Sequence, residues 1–189
     1  MHRDRYQSFE ELAQSEIPGK DFNIRVQRIL GCTVAVIAPH GGAIEFGTSE
    51  IAQQIAGSDF NMYLFEGIKP IDNYKFLHIT SHKFNEPECL NLIAGCNTVV
   101  AIHGCRYETK DIFLGGLDHE LKLLITDSLR TAGFQVSTEG HQFPAREKNN
   151  ICNLGATRRG VQIEVCRELR RGESPSTVAW AVRRGIFLT

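Results

Sequence analysis

The amino-acid sequence predicts an α/β sandwich around a largely parallel or mixed β-sheet, and two observations carry that reading. Residues 33–38 (TVAVIA) and 97–102 (NTVVAI) are continuous apolar, β-branched runs, the pattern of strands buried on both faces between helices. Around them, apolar residues recur at three- and four-residue spacing, so that strands alternate with helices. A length of 189 residues fits one domain. No repeat, low-complexity tract or Pro/Gly/Ser-rich linker divides it, so 1–189 reads as a single domain.

The elements follow in order. Ser8 and Glu11 have capping-box spacing, which predicts a short helix through about Ser15, ended by Pro18-Gly19. Phe22, Ile24 and Val26 alternate with polar residues as in a half-buried strand. The 33–38 strand stops at Pro39-His40-Gly41-Gly42, and Thr48 or Ser49 can cap a helix through about Ala56. Residues 75–80 read as a strand, and Asn85-Glu86-Pro87-Glu88 opens a helix. The 97–102 strand stops at His103-Gly104. Leu117, Leu121, Leu124, Ile125, Leu129 and Ala132 mark an amphipathic helix closed by Gly133. Residues 134–137 and 160–165 are strands, and Ser174-Pro175 starts a last helix that ends near Gly185.

Composition excludes several classes. With 21 Lys+Arg against 22 Asp+Glu and a formal net charge of −1, the chain lacks the broad basic field that holds nucleic acid, so no nucleic-acid partner is expected. No apolar stretch approaches the ~20 residues of a membrane span, and the opening MHRDRYQSFEEL lacks the apolar core of a secretory signal. Cytoplasmic synthesis, with release by host lysis, is the expectation. Six scattered Cys without a CxxC pair read as buried thiols. A domain of this size buries roughly 70% of its unfolded surface, so any metal would serve chemistry. The charge is uneven: residues 151–189 carry seven Arg, no Lys and three Glu, which leaves the rest at −5 and this segment at +4.

Both buried strands end in histidine followed by glycine, at the sheet edge where α/β ligand sites lie. His40 and Glu45 are five positions apart on a glycine-rich turn, and His103 completes a trio. Two imidazoles and a carboxylate, with a fourth tetrahedral position left for water, are the ligand set of hydrolytic zinc sites. The plain alternative is hydrogen-bonded strand-end histidines and a solvated Glu45. Glu164 lies in VQIEV, a strand otherwise suited to burial, where a carboxylate is expensive unless paired or employed as general base. If Gln162 and Glu164 share the outer face of an edge strand, both are merely exposed. His78 and His82 are weaker candidates for orienting a ligand; His2, His119 and His141 have no distinguishing context. Cys105 permits a rival nucleophile. Arg158 and Arg159, in the loop before the Glu164 strand, and Arg106 and Arg146 are candidates for binding an anionic substrate.

The segments APHGGAIEFGTSEIA, YLFEG, LHITS, FNEP, VVAIHGC, GGLD, NICN and GVQIEV occur in an order and spacing that resemble the phage-related poly-γ-glutamate hydrolase family, also described as a replication-protein family. The resemblance runs from about Asp21 to Arg170. It implies a zinc carboxypeptidase-like, single-domain three-layer sandwich with a central mixed β-sheet, and one zinc per chain. By position it implies His40, Glu45 and His103 as metal ligands and Glu164 as the catalytic carboxylate. The implied substrate is the γ-glutamyl amide of poly-γ-glutamate, an anionic capsule polymer. Two residues depart from the pattern: Asn85 stands where relatives usually have Asp, and Leu154 where they usually have Arg. Loss of a substrate-carboxylate contact at Leu154, unless Arg158 or Arg159 compensates, would mark a change of substrate, so zinc amidohydrolysis of small N-acyl amino acids or γ-glutamyl peptides is one alternative; a non-catalytic phage accessory or replication-associated protein is another.

Overall fold

A computed structural model describes residues 4–188 of the chain. Its seven strands are β1 (Phe22–Gln27), β2 (Val34–Gly42), β3 (Asn61–Gly67), β4 (Thr98–Gly104), β5 (Asp111–Gly115), β6 (Gln135–Ser137) and β7 (Val161–Val165). Six α-helices join them: α1 (Phe9–Ala13), α2 (Thr48–Ala56), α3 (Asn73–Leu77), α4 (Pro87–Ala94), α5 (His119–Thr131) and α6 (Ser174–Ile186). The strands form one sheet in the order β1-β3-β2-β4-β7-β5-β6. β3, β2, β4 and β7 run parallel at its centre, whereas β1 against β3 and β5 against β7 are antiparallel, so the sheet is mixed.

The continuous apolar runs are explained by what lies on each face. Val36, Ala38, Val100 and Ile102 pack with Ile51, Ile55, Leu121, Ile125, Val178 and Val182 of α2, α5 and α6. Their strand neighbours Ala35, Ile37, Val99 and Ala101 point the other way, onto Leu12, Leu77, Cys89 and Ile93 of α1, α3 and α4. With both faces covered, alternation in the sequence disappears because each alternate residue has its own core. The result is the expected three-layer sandwich with a central mixed sheet.

Several local readings are corrected. Residues 75–80 are not a strand: Asn73 caps a tight turn through bonds to Lys69 N and O at 2.9 and 2.7 Å, and α3 follows. Leu77 and Ile79 are buried as a strand pattern requires, but Tyr74 and His78 stack at 4.5 Å across one helical turn, and that spacing decides the conformation. Helix α4 is capped by Glu86 rather than Asn85, whose Oδ1 accepts from Phe9 N at 2.7 Å and so ties α1 to the body. Gly47, not Thr48 or Ser49, precedes α2. β7 lies between β4 and β5 rather than at an edge, so Gln162 and Glu164 are both buried. Strands β3 and β5 had no separate expectation.

Helices α5 and α6 meet at Gly185, where an added Cβ would lie 2.7 Å from Ile125 Cα. Helix propensity alone favours alanine there, but the close approach leaves no room for a methyl group. Gly185→Ala is expected to lower stability by about 1–3 kcal/mol in urea unfolding; a more stable variant would contradict this packing.

Candidate metal centre

The site is made where β2, β4 and β7 end. On β2 the register with β3 passes from Ala38 opposite Leu64 to Gly41 opposite Glu66, so Pro39 and His40 together face Phe65. This is a bulge, the device that re-aims a side chain at a strand end. Pro39 sits there without a ladder N–H to lose. Gly42 follows with φ 60°, and an added Cβ would be 2.6 Å from Gly67 O, so only glycine fits the crossing. The chain then turns back through Glu45 N→His40 O at 3.0 Å, which brings the carboxylate beside its own histidine. On the next strands, His103 of β4 is the register partner of Glu164 of β7.

The structure thereby brings together His40, Glu45, His103 and Glu164, all buried or nearly so. His40 Nδ1 lies 3.1 Å from His103 Nδ1 and 3.2 Å from Glu45 Oε1, and His103 Nδ1 is 3.8 Å from Glu45 Oε2. The remote atoms are committed elsewhere. His40 Nε2 donates to Ile79 O at 2.8 Å, His103 Nε2 faces Ser81 Oγ at 3.4 Å, and Glu45 Oε2 accepts from Gly104 N at 2.8 Å. Each imidazole thus turns its Nδ1 inward, the orientation that outer hydrogen bonds impose on metal ligands.

This donor set fits zinc. Ligands about 2.0–2.1 Å from a tetrahedral ion are separated by roughly 3.3 Å, close to the spacings here. Two ring nitrogens and a carboxylate facing one point, away from water, require positive charge between them. Without a metal a proton on His40 supplies it: burial opposes that charge, but Glu45 overrides burial and raises the His40 pKa. Burial keeps His103 neutral, with its pKa near 3, and the neighbouring His40 reinforces this. Burial opposes the ionisation of Glu45, but His40 overrides it and holds the carboxyl at about 2.

A fourth histidine joins the group. His78 stacks on His40 at 4.1 Å and places Nε2 3.9 Å from Glu45 Oε1. His40, Glu45 and His78 also converge closely enough to hold an ion, so two overlapping trios share His40 and Glu45. His78 Nδ1 is fixed by Asp4 at 2.8 Å, and Asp4 also accepts from Thr80 N and Oγ1 at 2.9 and 2.6 Å. Asp4 carries no signal in the sequence, because its partners are more than seventy positions away.

Glu164 is held by a chain of amides: Asn150 Nδ2 donates to Gln162 Oε1 at 3.0 Å, and Gln162 Nε2 to Glu164 Oε1 at 2.8 Å. Burial, with Glu45 nearby, pushes its pKa up to about 8; a cation among the histidines favours the ionised form. Glu164, His40, Glu45, His78 and His103 line one cleft of about 610 Å³, with Arg106 and Tyr107 at its rim.

The other predicted anion-binding residues are elsewhere. Arg158 and Arg159 precede β7, whereas Glu164 is at its far end, about 16 Å along a strand; Arg159 pairs with Asp118 at 3.5 Å. Arg146 is exposed beside Lys122 and does not line the cleft. Leu154 packs on the apolar cluster under the sheet. His82 lines the cleft, and His141 accepts from Phe143 N at 3.1 Å; His119 opens α5, and His2 lies outside the described residues. Cys105 lies 3.0 Å from Cys166 Sγ, and burial together with that neighbour raises its thiol pKa far from the range of a nucleophile. Among the described residues no helix is long and apolar enough to cross a membrane.

The fold and site define a class: an α/β domain with a buried histidine–glutamate group suited to a metal ion and a second buried carboxylate, at the ends of parallel strands. The poly-gamma-glutamate hydrolase family model matches residues 6–173, and the chain belongs to that family. It is 38% identical to the SPbeta prophage-derived UPF0714 protein YoqZ of Bacillus subtilis (strain 168) over 96% of this chain, and it spans 65% of that relative's length. A solved bacteriophage poly-gamma-glutamate hydrolase matches with TM-score 0.94 at 28% identity, covering 98% of each chain. Zinc-free YndL matches with TM-score 0.90 at 32% identity, again over 98% of each. A solved carboxypeptidase-type protein of Burkholderia mallei, at 12% identity and TM-score 0.50 over 88% of this chain and 59% of its own, bears on the fold alone.

Asp4 gives the site a pH signature. Burial opposes its ionisation, but hydrogen bonds from His78 and Thr80 hold its pKa well below the ordinary carboxylate range. A depressed folded pKa adds stability that is complete above the unfolded pKa of about 3.9 and is lost as pH falls through the folded value. Asp4→Asn is therefore expected to unfold more easily than wild type near pH 6, with the gap narrowing below about pH 4. Thermal melts across that range check it, and a gap that widens in acid would contradict it.

Proposed function

We propose that this chain is a zinc-dependent hydrolase of γ-glutamyl amide bonds in poly-γ-glutamate, with His40, Glu45 and His103 as the metal ligands and Glu164 as the general base. The observation that carries this reading is the convergence of two inward Nδ1 atoms and one carboxylate at 3.1–3.8 Å, with Glu164 in register beside His103. His103 is chosen over His78 because its Nδ1 lies 3.1 Å from His40 Nδ1, whereas His78 meets His40 face to face by ring stacking and has its Nδ1 taken by Asp4. Membership of the family and likeness to the phage enzyme support the substrate.

Zinc held there supplies a Lewis-acidic charge that acidifies a water and polarises the scissile carbonyl. The protein's part is then positional. Glu164 takes the proton of the attacking water on a carboxylate oxygen and returns it to the leaving amine. Gln162 and Asn150 keep that carboxylate aimed, since Oε1 is fixed by Gln162 and Oε2 is left to work. Ile79 and Ser81 fix the histidine rings, so neither has to reorient during the reaction. Arg106, stacked 4.0 Å over Tyr74 at the cleft rim, is placed to meet a substrate carboxylate.

Incubation with poly-γ-glutamate is expected to shorten the polymer and to stop on chelation. Glu164→Gln is expected to lower turnover by about 10²–10⁴-fold while keeping its zinc. Intact polymer at high enzyme concentration, or a fully active Glu164→Gln protein, would overturn the proposal.

A further inference from the structure

A second pocket, of about 350 Å³, adjoins the cleft across Glu45, Tyr74, Gly104 and Arg106, which face both. It contains none of His40, His103 or Glu164, and apart from the shared Glu45 and Arg106 its residues have no part in the proposed reaction. Its distinguishing feature is charge: Arg106, Arg167, Arg170 and Arg171 line it, and Glu45 is the acidic residue among its walls. That carboxylate is already committed to His40 and to the Gly104 amide.

Arg170 is the built part of this pocket. It is only 6% exposed, yet its guanidinium hydrogen-bonds three backbone carbonyls, Val165 O at 2.9 Å, Cys105 O at 3.0 Å and Phe46 O. Among the described residues it has no carboxylate within ion-pair distance. Neutral carbonyls orient a guanidinium but do not cancel its charge, and Glu45 and Glu164 act on it only from beyond ion-pair distance, so a directed cation remains at the pocket floor. Two glycines make room for it. An added Cβ at Gly104 would lie 2.6 Å from Arg170 Cζ, and one at Gly47, with φ 91°, would lie 2.7 Å from Arg170 O. Above this fixed floor, Arg171 is exposed and Arg167 is half-buried, the latter paired with Glu108 at 2.5 Å. A floor cation locked in place beneath solvent-accessible rim cations is a site that an anion can reach from water.

We infer that this pocket is a carboxylate subsite, which receives an α-carboxylate of the γ-glutamyl chain beside the residue being cleaved. The inference rests on the hydrolase reading above and deepens it. A γ-linked polymer carries one free carboxylate per residue, so a chain with its scissile amide at the metal centre presents further carboxylates on either side. The shared wall of Glu45, Gly104 and Arg106 sets the two pockets side by side, as consecutive residues of such a chain require. Planar guanidinium forks match carboxylates in geometry as well as charge. The +4 of the 151–189 segment is thereby partly explained, since three of its seven arginines line this pocket.

The test uses zinc-loaded Glu164→Gln protein, which holds substrate without consuming it. Its affinity is measured by fluorescence anisotropy for a labelled γ-glutamyl oligomer and for the same oligomer with its α-carboxylates amidated. Adding Arg167→Gln and Arg171→Gln, both at accessible positions, is expected to weaken the carboxylate oligomer about tenfold or more. Affinity for the amidated oligomer, zinc content and thermal melt are expected to stay unchanged. Arg171→Gln alone gives a smaller loss of the same kind. Unchanged affinity for the carboxylate oligomer, or equal losses for both oligomers, would overturn the subsite while leaving the hydrolase reading intact. Failure of the parent Glu164→Gln protein to bind either oligomer would overturn the substrate reading and the subsite with it.

Discussion

The structure depends on one electrostatic constraint: two imidazole nitrogens and a carboxylate are pressed to within 3.1–3.8 Å of one another in a place that water barely reaches. Such a group is stable only with positive charge at its centre, from a proton when the site is empty of metal and from a divalent ion otherwise. Everything around it prevents relaxation. The Ile79 carbonyl and the Ser81 hydroxyl hold the outer nitrogens of the two rings, and the Gly104 amide holds Glu45 Oε2, so none of the three can turn away to find other partners.

That constraint explains features of the fold that are otherwise arbitrary. A bulge interrupts β2 at Pro39-His40 although both flanks pair regularly, because a regular strand would aim His40 into one of the two cores. β4 and β7 pair in parallel register, which sets His103 against Glu164 and so brings that carboxylate beside the His40–Glu45–His103 group. The glycines at 42 and 104 serve close approach: the first lets β2 cross Gly67, and the second lets a buried guanidinium lie flat beneath the Glu45 anchor. The amide relay from Asn150 through Gln162 fixes the Glu164 carboxylate by its Oε1. In the proposed reaction the strands position the reacting groups, and exposed arginines on the adjoining loops meet the substrate's charge.

The parts of this account that are legible in the sequence are those with a local signature. Continuous β-branched runs marked β2 and β4, and the His-Gly endings marked the sheet edge on which the site is built. His40, Glu45, His103 and Glu164 could be picked out because each breaks an apolar pattern at a strand end. What remained hidden depends on tertiary proximity. Asp4 reaches His78 across 74 positions of the chain. Arg170 is indistinguishable from a solvated helix-end arginine until two distant glycines are seen to enclose it. The opposite error has the same cause: Arg158 and Arg159 adjoin the Glu164 strand in sequence, but at its wrong end, and a strand's length separates them from the site. Residues 75–80 misled because apolar residues two apart satisfy both a strand and a short helix that leads into an extended segment.

The central claim is the identity of the ligand set, in which His103 and not His78 completes the trio with His40 and Glu45. Zinc affinity of the purified protein, measured by competition with a metallochromic chelator for wild type, His103→Ala and His78→Ala, tests it most directly. Loss of a ligand is predicted to weaken zinc binding more than 100-fold in His103→Ala, whereas His78→Ala, an outer neighbour, stays within about 10–100-fold of wild type. The reverse order, with zinc retained by His103→Ala and lost from His78→Ala, would contradict the account.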